Sequence, residues 1–138
     1  MTPRPTPRAT VEPLTLHADP RGILLEPLGA DALPAQRNSH LVVTAPGAVR
    51  GNHRHELGTE TIVVLGPGLV RLREGDATRD VEVPAGEGYR FVIPPGVAHA
   101  FQNTGAAPMV LVSFSTRAFD PAAPDVVREV LIPPPPGA

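Results

Sequence analysis

Residues 46–68 read PGAVRGNHRHELGTETIVVLGPG, and this stretch carries His53, His55 and Glu60. Successive side chains of a β-strand leave opposite faces, so His53 and His55, two positions apart, leave the same one. Glu56 to Thr59 contain a glycine and suit a turn. Glu60 then opens the β-branched run Thr61-Ile62-Val63-Val64, which predicts a neighbouring antiparallel strand and returns Glu60 toward the histidines. Two imidazoles and a carboxylate on facing strands suit a divalent ion such as zinc, iron, nickel, manganese or copper.

An isolated H-x-H also fits a pair of surface histidines beside Arg54 and Glu56. A second stretch argues against that. Residues 88–103 read GYRFVIPPGVAHAFQN, in which a rigid Pro94-Pro95-Gly96 turn ends one strand and starts another. His99 stands at the start of that second strand and supplies a fourth ligand.

Together the two stretches resemble the paired signature of the cupin family, G-x5-H-x-H-x3/4-E-x6-G followed by G-x5-P-x-G-x2-H-x3-N. Gly47, His53, His55 and Glu60 match the first motif, and Gly88, Pro94, Gly96, His99 and Asn103 match the second throughout. One departure is that Gly66 and Gly68 fall on either side of the glycine expected after Glu60. The resemblance implies an all-β, single-domain jelly-roll β-barrel with one divalent metal held by His53, His55, Glu60 and His99 inside its mouth. Zinc is the first expectation, with iron, nickel or manganese as alternatives.

Composition agrees with that class. The 138 residues suffice for one domain, and 19 prolines with 13 glycines imply turns and short strands rather than long helices. Apolar residues make up 41%, which excludes a wholly disordered chain. Basic and acidic residues number 12 and 14 without a basic run, so neither nucleic acid nor an anionic membrane is an expected partner. There is no cysteine, so any metal must use nitrogen and oxygen ligands.

Residues 1–13 predict a flexible, proline-rich arm with no apolar run that could serve as a signal or a membrane span, 14–132 the barrel domain, and 133–138 a polyproline II tail. No segment approaches the apolar length of a transmembrane helix, and a cytoplasmic location is the default expectation. Leu14 to His17 and Ile23 to Glu26 read as strands around the turn Asp19-Pro20-Arg21-Gly22. Ser39 to Thr44 alternate into a strand carrying His40, whose side chain suits either the interior or the rim. Leu69 to Arg73 suit a half-solvated strand, and the apolar stretch Met109 to Phe114 a central, doubly buried one.

Three local resemblances concern substrate class. Asp19-Pro20-Arg21-Gly22 with the apolar pair and Glu26 is similar to the entry segment of dTDP-4-dehydrorhamnose 3,5-epimerases, though it is also an ordinary turn. Arg50-Gly51-Asn52-His53-Arg54-His55 and the tail from Phe119 resemble the cupin domain of bacterial capsular-polysaccharide enzymes, in which a reductase domain precedes the cupin. A related R-G-x-H-x-H occurs in dTDP-sugar 3,4-ketoisomerases, whose two histidines have acid and base roles.

These resemblances imply an isomerase or epimerase acting on a nucleotide-linked keto-deoxy sugar in polysaccharide biosynthesis. His53, His55 and Tyr89 are then the proton-moving candidates, and Arg50, Arg90 and Phe101 the substrate-binding ones. The alternatives are a metal-dependent oxygenase or lyase on a small keto-acid or aromatic substrate, and a non-enzymatic small-molecule-binding cupin. A homodimer is expected, with the N-terminal strands in contact, because a small jelly roll leaves sheet edges to cover.

Overall fold

The computed structural model describes residues 2–137; Met1 of the predicted arm and Ala138 of the predicted tail lie outside the described residues. The strands are β1 (Thr10–Pro13), β2 (His17–Asp19), β3 (Gly22–Leu24), β4 (Asn38–Thr44), β5 (Val49–His55) and β6 (Glu60–Leu65). They continue with β7 (Gly68–Glu74), β8 (Ala77–Val83), β9 (Gly88–Ile93), β10 (Ala98–Asn103), β11 (Met109–Ser115) and β12 (Val126–Arg128). Among the described residues the one helical piece is a 3-10 turn at Leu33–Ala35, and no helix is long and apolar enough to cross a membrane.

Two five-stranded antiparallel sheets face each other, in the orders β1-β9-β6-β11-β4 and β12-β5-β10-β7-β8, while β2 and β3 form a separate hairpin. This is the expected all-β jelly roll, with one correction: the sheets do not close into a barrel. Each sheet uses its backbone hydrogen bonds internally, and among the described residues no ladder joins an edge of one to an edge of the other. Side chains bridge instead, as where the Arg50 guanidinium on β5 donates to the Val43 carbonyl on β4 at 3.1 Å.

Alternation along the strands builds the core between the sheets. Ile62, Val64, Phe91, Ile93 and Leu111 come from one sheet, and Val70, Leu72, Val83 and Phe101 from the other. Phe91 and Phe101 meet across the gap edge to face, with ring centroids 6.3 Å apart. Burying each phenyl contributes about 2–3 kcal/mol. β6 is buried on both faces at residues 60–64. β11 is central as predicted, but Val110, Val112 and Phe114 on its outer face stay half-buried because that face is only partly covered.

Several boundaries differ from the sequence reading: the strands expected at Leu14 to His17 and Ile23 to Glu26 form as His17–Asp19 and Gly22–Leu24. The first sheet begins at Thr10, inside the stretch predicted as an arm, because β1 pairs with β9 from Thr10↔Val92 to Pro13↔Tyr89 and Val11 packs on the core. Ala9 is buried, and its amide donates to Glu74 Oε2 at 2.8 Å. The glycine departure after Glu60 has a simple form: β6 ends at Leu65, and Gly66-Pro67 link it to Gly68 of β7.

Candidate metal centre and substrate cavity

The register of the two sheets brings the site together. On β5, Gly51 and Asn52 have φ values of +83° and +57°, and the pairing with β10 slips there, so that His99 pairs His53 while Ala100 pairs Gly51. A Cβ on Gly51 would meet the His99 carbonyl at 2.8 Å, so only glycine fits beside the bulge. Asn52 tolerates the left-handed conformation and uses its amide to hold the end of the chain. Its Nδ2 donates to the Ile132 carbonyl at 2.9 Å, and its Oδ1 accepts from Leu131 N and Ile132 N at 2.9 and 3.1 Å. The Gly-Asn pair before His53 is thus a shape requirement of the strand that carries His53 and His55.

His53, His55 and His99 lie on the second sheet and Glu60 on the first, facing them. The ring centroids of His53 and His99 are 4.7 Å apart, and those of His53 and His55 are 5.1 Å apart. His55 Nε2 lies 2.5 Å from Glu60 Oε2, and His99 Nε2 lies 3.5 Å from Glu60 Oε1. One donor atom from each of the four residues falls within 4.8 Å of all the others.

The four groups fit a divalent ion. Donors about 2.1 Å from a common ion lie within about 4.2 Å of one another, close to the spread found. His99 is fully buried, with Nδ1 3.1 Å from the Val97 carbonyl. A carbonyl can only accept, so Nδ1 carries the hydrogen and Nε2 is left as a lone-pair donor facing the cluster. Among the described residues neither His55 Nε2 nor His99 Nε2 finds an aligned hydrogen-bond partner, although both are buried. Buried nitrogens of this kind are otherwise costly, and an ion would satisfy them.

Electrostatics sort the four donors. Burial, with the neighbouring His99 adding to it, pulls His53 down to about 4, so it stays neutral. His55 moves the other way, because the Glu60 carboxylate held against its Nε2 outweighs burial. Burial alone would raise Glu60, but His55 and then His99 beside it hold the carboxyl far below the usual range. Asp125 Oδ2 lies 3.7 Å from His55 Nδ1, behind the ligand, and the Asp125 carboxylate accepts from Leu57 N and Gly58 N at 2.8 Å each.

A cavity of about 330 Å³ opens over the cluster, walled by Val42, Ile62, Phe101, Leu111 and Val126. His40, Ser113 and Arg50 supply further polar groups. A smaller lobe of about 130 Å³ continues past Glu60 beneath the tail, with Asn38, Ser115, Arg117 and Asp125 on its wall. Arg50 donates to Thr44 Oγ1 and the Val43 carbonyl and has no carboxylate partner among the described residues. Phe101, 2% exposed, stands between Phe91 and His99 and forms the cavity wall.

Two of the predicted site residues lie elsewhere. Tyr89 shares the inward face of β9, but it pairs Val64, four residues along β6 from Glu60 and so about 13 Å away. Arg90 points to the outer face, where it pairs Glu12 at 2.7 Å and donates to the carbonyls of Pro27 and Glu26. Arg21 is likewise outside the site: it pairs Asp19 within its own turn. Asn103 of the second motif is a turn residue, donating to the carbonyls of Thr44 and Ala107 and accepting from Gly105 N. Sequence reasoning missed Asp125 and Ser113 as site residues and left His40 open between interior and rim.

Two facing antiparallel sheets with a three-histidine, one-glutamate cluster between them define a cupin-type jelly roll. Residues 17–127 match the family model of the polysaccharide biosynthesis C-terminal domain, and the chain belongs to that family. Among solved structures it is similar to the capsular polysaccharide assembling protein CapF from Staphylococcus aureus, at 27% identity and a TM-score of 0.64. That match covers 87% of this chain and 33% of CapF, so the chain spans about a third of that relative.

The fold is also that of ChmJ, a 3′-monoepimerase from Streptomyces bikiniensis solved with dTDP-quinovose, at 21% identity and a TM-score of 0.68 over 88% of this chain and 70% of that one. QdtA, a sugar 3,4-ketoisomerase from Thermoanaerobacterium thermosaccharolyticum solved with TDP, shares it at 19% identity and a TM-score of 0.66 over 88% of each chain. No curated protein matches the chain.

Proposed function

We propose that this domain is an isomerase or epimerase acting on a nucleotide-linked keto-deoxy sugar, with one divalent ion held by His53, His55, Glu60 and His99. The observation that carries the reading is the meeting of these four donors, three of them (His53, His55 and Glu60) on the wall of an apolar cavity that also has Arg50, without a carboxylate partner among the described residues, on its wall. Family membership and the fold shared with sugar-nucleotide enzymes support it.

Isomerisation beside a ketone requires removal of an α-proton and stabilisation of the enolate that results. An ion at the four donors, zinc before iron, nickel or manganese, would supply positive charge beside that enolate. The remaining work falls to the chain. Val42, Ile62, Leu111 and Val126 take the apolar edge of a deoxy sugar and exclude water. Phe101 gives the ring a flat wall, and Arg50 offers a guanidinium to the diphosphate. The His99–Val97 bond keeps that imidazole in one tautomer.

Among the described residues the hairpin of β2 and β3 pairs with no other strand, and it exposes Ile23 and Leu24, which supports a homodimer through the N-terminal strands. A monomer by sedimentation at micromolar concentration would remove the dimer.

The test is twofold. Metal analysis of protein purified without a nickel column should return about one divalent ion per chain. Incubation with UDP- or dTDP-4-keto-6-deoxyhexose in deuterated water should place deuterium on a carbon beside the ketone. Metal-bearing protein that leaves every such sugar unexchanged would overturn the sugar reading, and oxygen uptake with iron(II) would replace it.

A further inference from the structure

The four donors that hold an ion are not free to carry a proton, and Tyr89 stands in a distant row. The cavity contains one further imidazole. His40, on β4, lines both the main cavity and the lobe beyond Glu60. Its side chain is exposed at the cavity's edge and, among the described residues, makes no hydrogen bond or ion pair.

Its position follows from register. On the inward face of the first sheet, His40 pairs Ser113, and Ser113 pairs Ile62. The adjacent row is Asn38, Ser115 and Glu60. His40 therefore stands two strand spacings from β6, about 10 Å across the sheet, and one row, about 7 Å, along it from the Glu60 row. That gap accommodates a sugar ring with His40 at one edge and the His/Glu cluster at the other. The two aspartates on the walls are committed: Asp125 accepts two backbone amides, and Asp120 accepts Ala122 N; the arginines there, Arg50 and Arg117, are cations and cannot take up a proton.

We propose that His40 is the catalytic residue that removes the proton from the sugar carbon beside the ketone, with the Ser113 hydroxyl next to it holding the ring in place. This rests on the sugar reading of the site given above. An imidazole nitrogen takes the proton as the C–H bond breaks, and the electron pair becomes the C=C bond of the enolate, whose oxygen takes the charge. Return of a proton to the same carbon, or to the neighbouring one, completes the isomerisation. No oxidant or reductant is consumed. Ser113 suits the role of neighbour because it is buried on the cavity wall and its hydroxyl is engaged by no other described residue.

The experiment compares wild type with His40→Gln and His40→Ala, all metal-loaded, for deuterium exchange into a UDP- or dTDP-4-keto-6-deoxyhexose. Both variants should keep their metal content and bind the sugar nucleotide within about threefold of wild type, while exchange falls at least about 100-fold. Added imidazole should restore exchange to His40→Ala, which a merely structural histidine would not allow. Exchange within about threefold of wild type in His40→Gln would overturn the role of His40 and leave the sugar reading standing. A wild type that exchanges no proton would overturn both.

Discussion

Asp125 stands behind His55: its carboxylate lies 3.7 Å from His55 Nδ1, while His55 Nε2 faces Glu60. The two residues are far apart in sequence and meet only because β12 pairs with β5, from Val126↔His55 to Arg128↔His53. A carboxylate in this place orients a ligating imidazole and raises its basicity. Asp125→Asn should lower divalent-metal affinity roughly 10- to 100-fold while circular dichroism stays unchanged. An unaltered affinity in competition with a chelator dye would remove the orienting role.

Glu60 is the one anionic donor of the cluster. Glu60→Gln keeps the shape and removes the charge, so after dialysis the variant should retain less than about a tenth of the wild-type metal. Stripping the wild type with a chelator should lower its thermal midpoint, because an ion bound only by the folded state stabilises that state. Equal metal content in the two proteins would contradict the ligand assignment.

Metal-stripped protein should have a stability maximum near neutral pH. His53 titrates near 4 when folded, against its ordinary 6.5. Between those values the unfolded chain takes up a proton that the folded one refuses, so stability falls as pH falls. Glu60, held below its ordinary 4.5, adds to that loss at the acid end, since its stabilisation is present above the unfolded value and disappears below it. His55 is raised, so its contribution is complete below 6.5 and lost as pH rises through its folded value. Urea midpoints measured from pH 4 to 9 should rise and then fall; a flat curve would show that the cluster is not held as described.

The two predicted substrate arginines should behave differently. Arg50→Ala removes a charge from the cavity wall and should raise KM for the sugar nucleotide about 10-fold or more, with a smaller effect on kcat. Arg90→Ala should leave KM alone and cost about 1 kcal/mol of stability, because its partners are Glu12 and two carbonyls on the outer face. Reversed outcomes would place the diphosphate on the wrong side of the sheet.

Gly51→Ala forces a side chain into a left-handed position against the His99 carbonyl. The expected cost is about 2 kcal/mol or more, a fall in thermal midpoint of roughly 5–10 °C. Metal affinity should fall with it, since the same bulge aims His53. A stable variant with full affinity would show that the bulge is not needed.

The meeting of His53, His55, Glu60 and His99 is legible in the chain because each part of it obeys a local rule. Strand periodicity puts His53 and His55 on one face, a turn brings Glu60 back, and the Pro94-Pro95-Gly96 turn aims His99. The same alternation assigns Arg90 to the face opposite Phe91 and Ile93, where the structure finds it. Tyr89 shares the inward face but stands in a row distant from Glu60, and a row is a property of two strands together.

The sequence by itself therefore determined the all-β class and the four donors, since spacing and turn chemistry act within a few residues. The tertiary structure alone decided that the sheets stay open, that the chain from Thr10 joins an edge, and that His40, Ser113 and Asp125 come to the cavity. Those outcomes depend on which strands pair and in what register. Pairing is set by the burial of whole sheet faces contributed by distant segments, which no local stretch encodes.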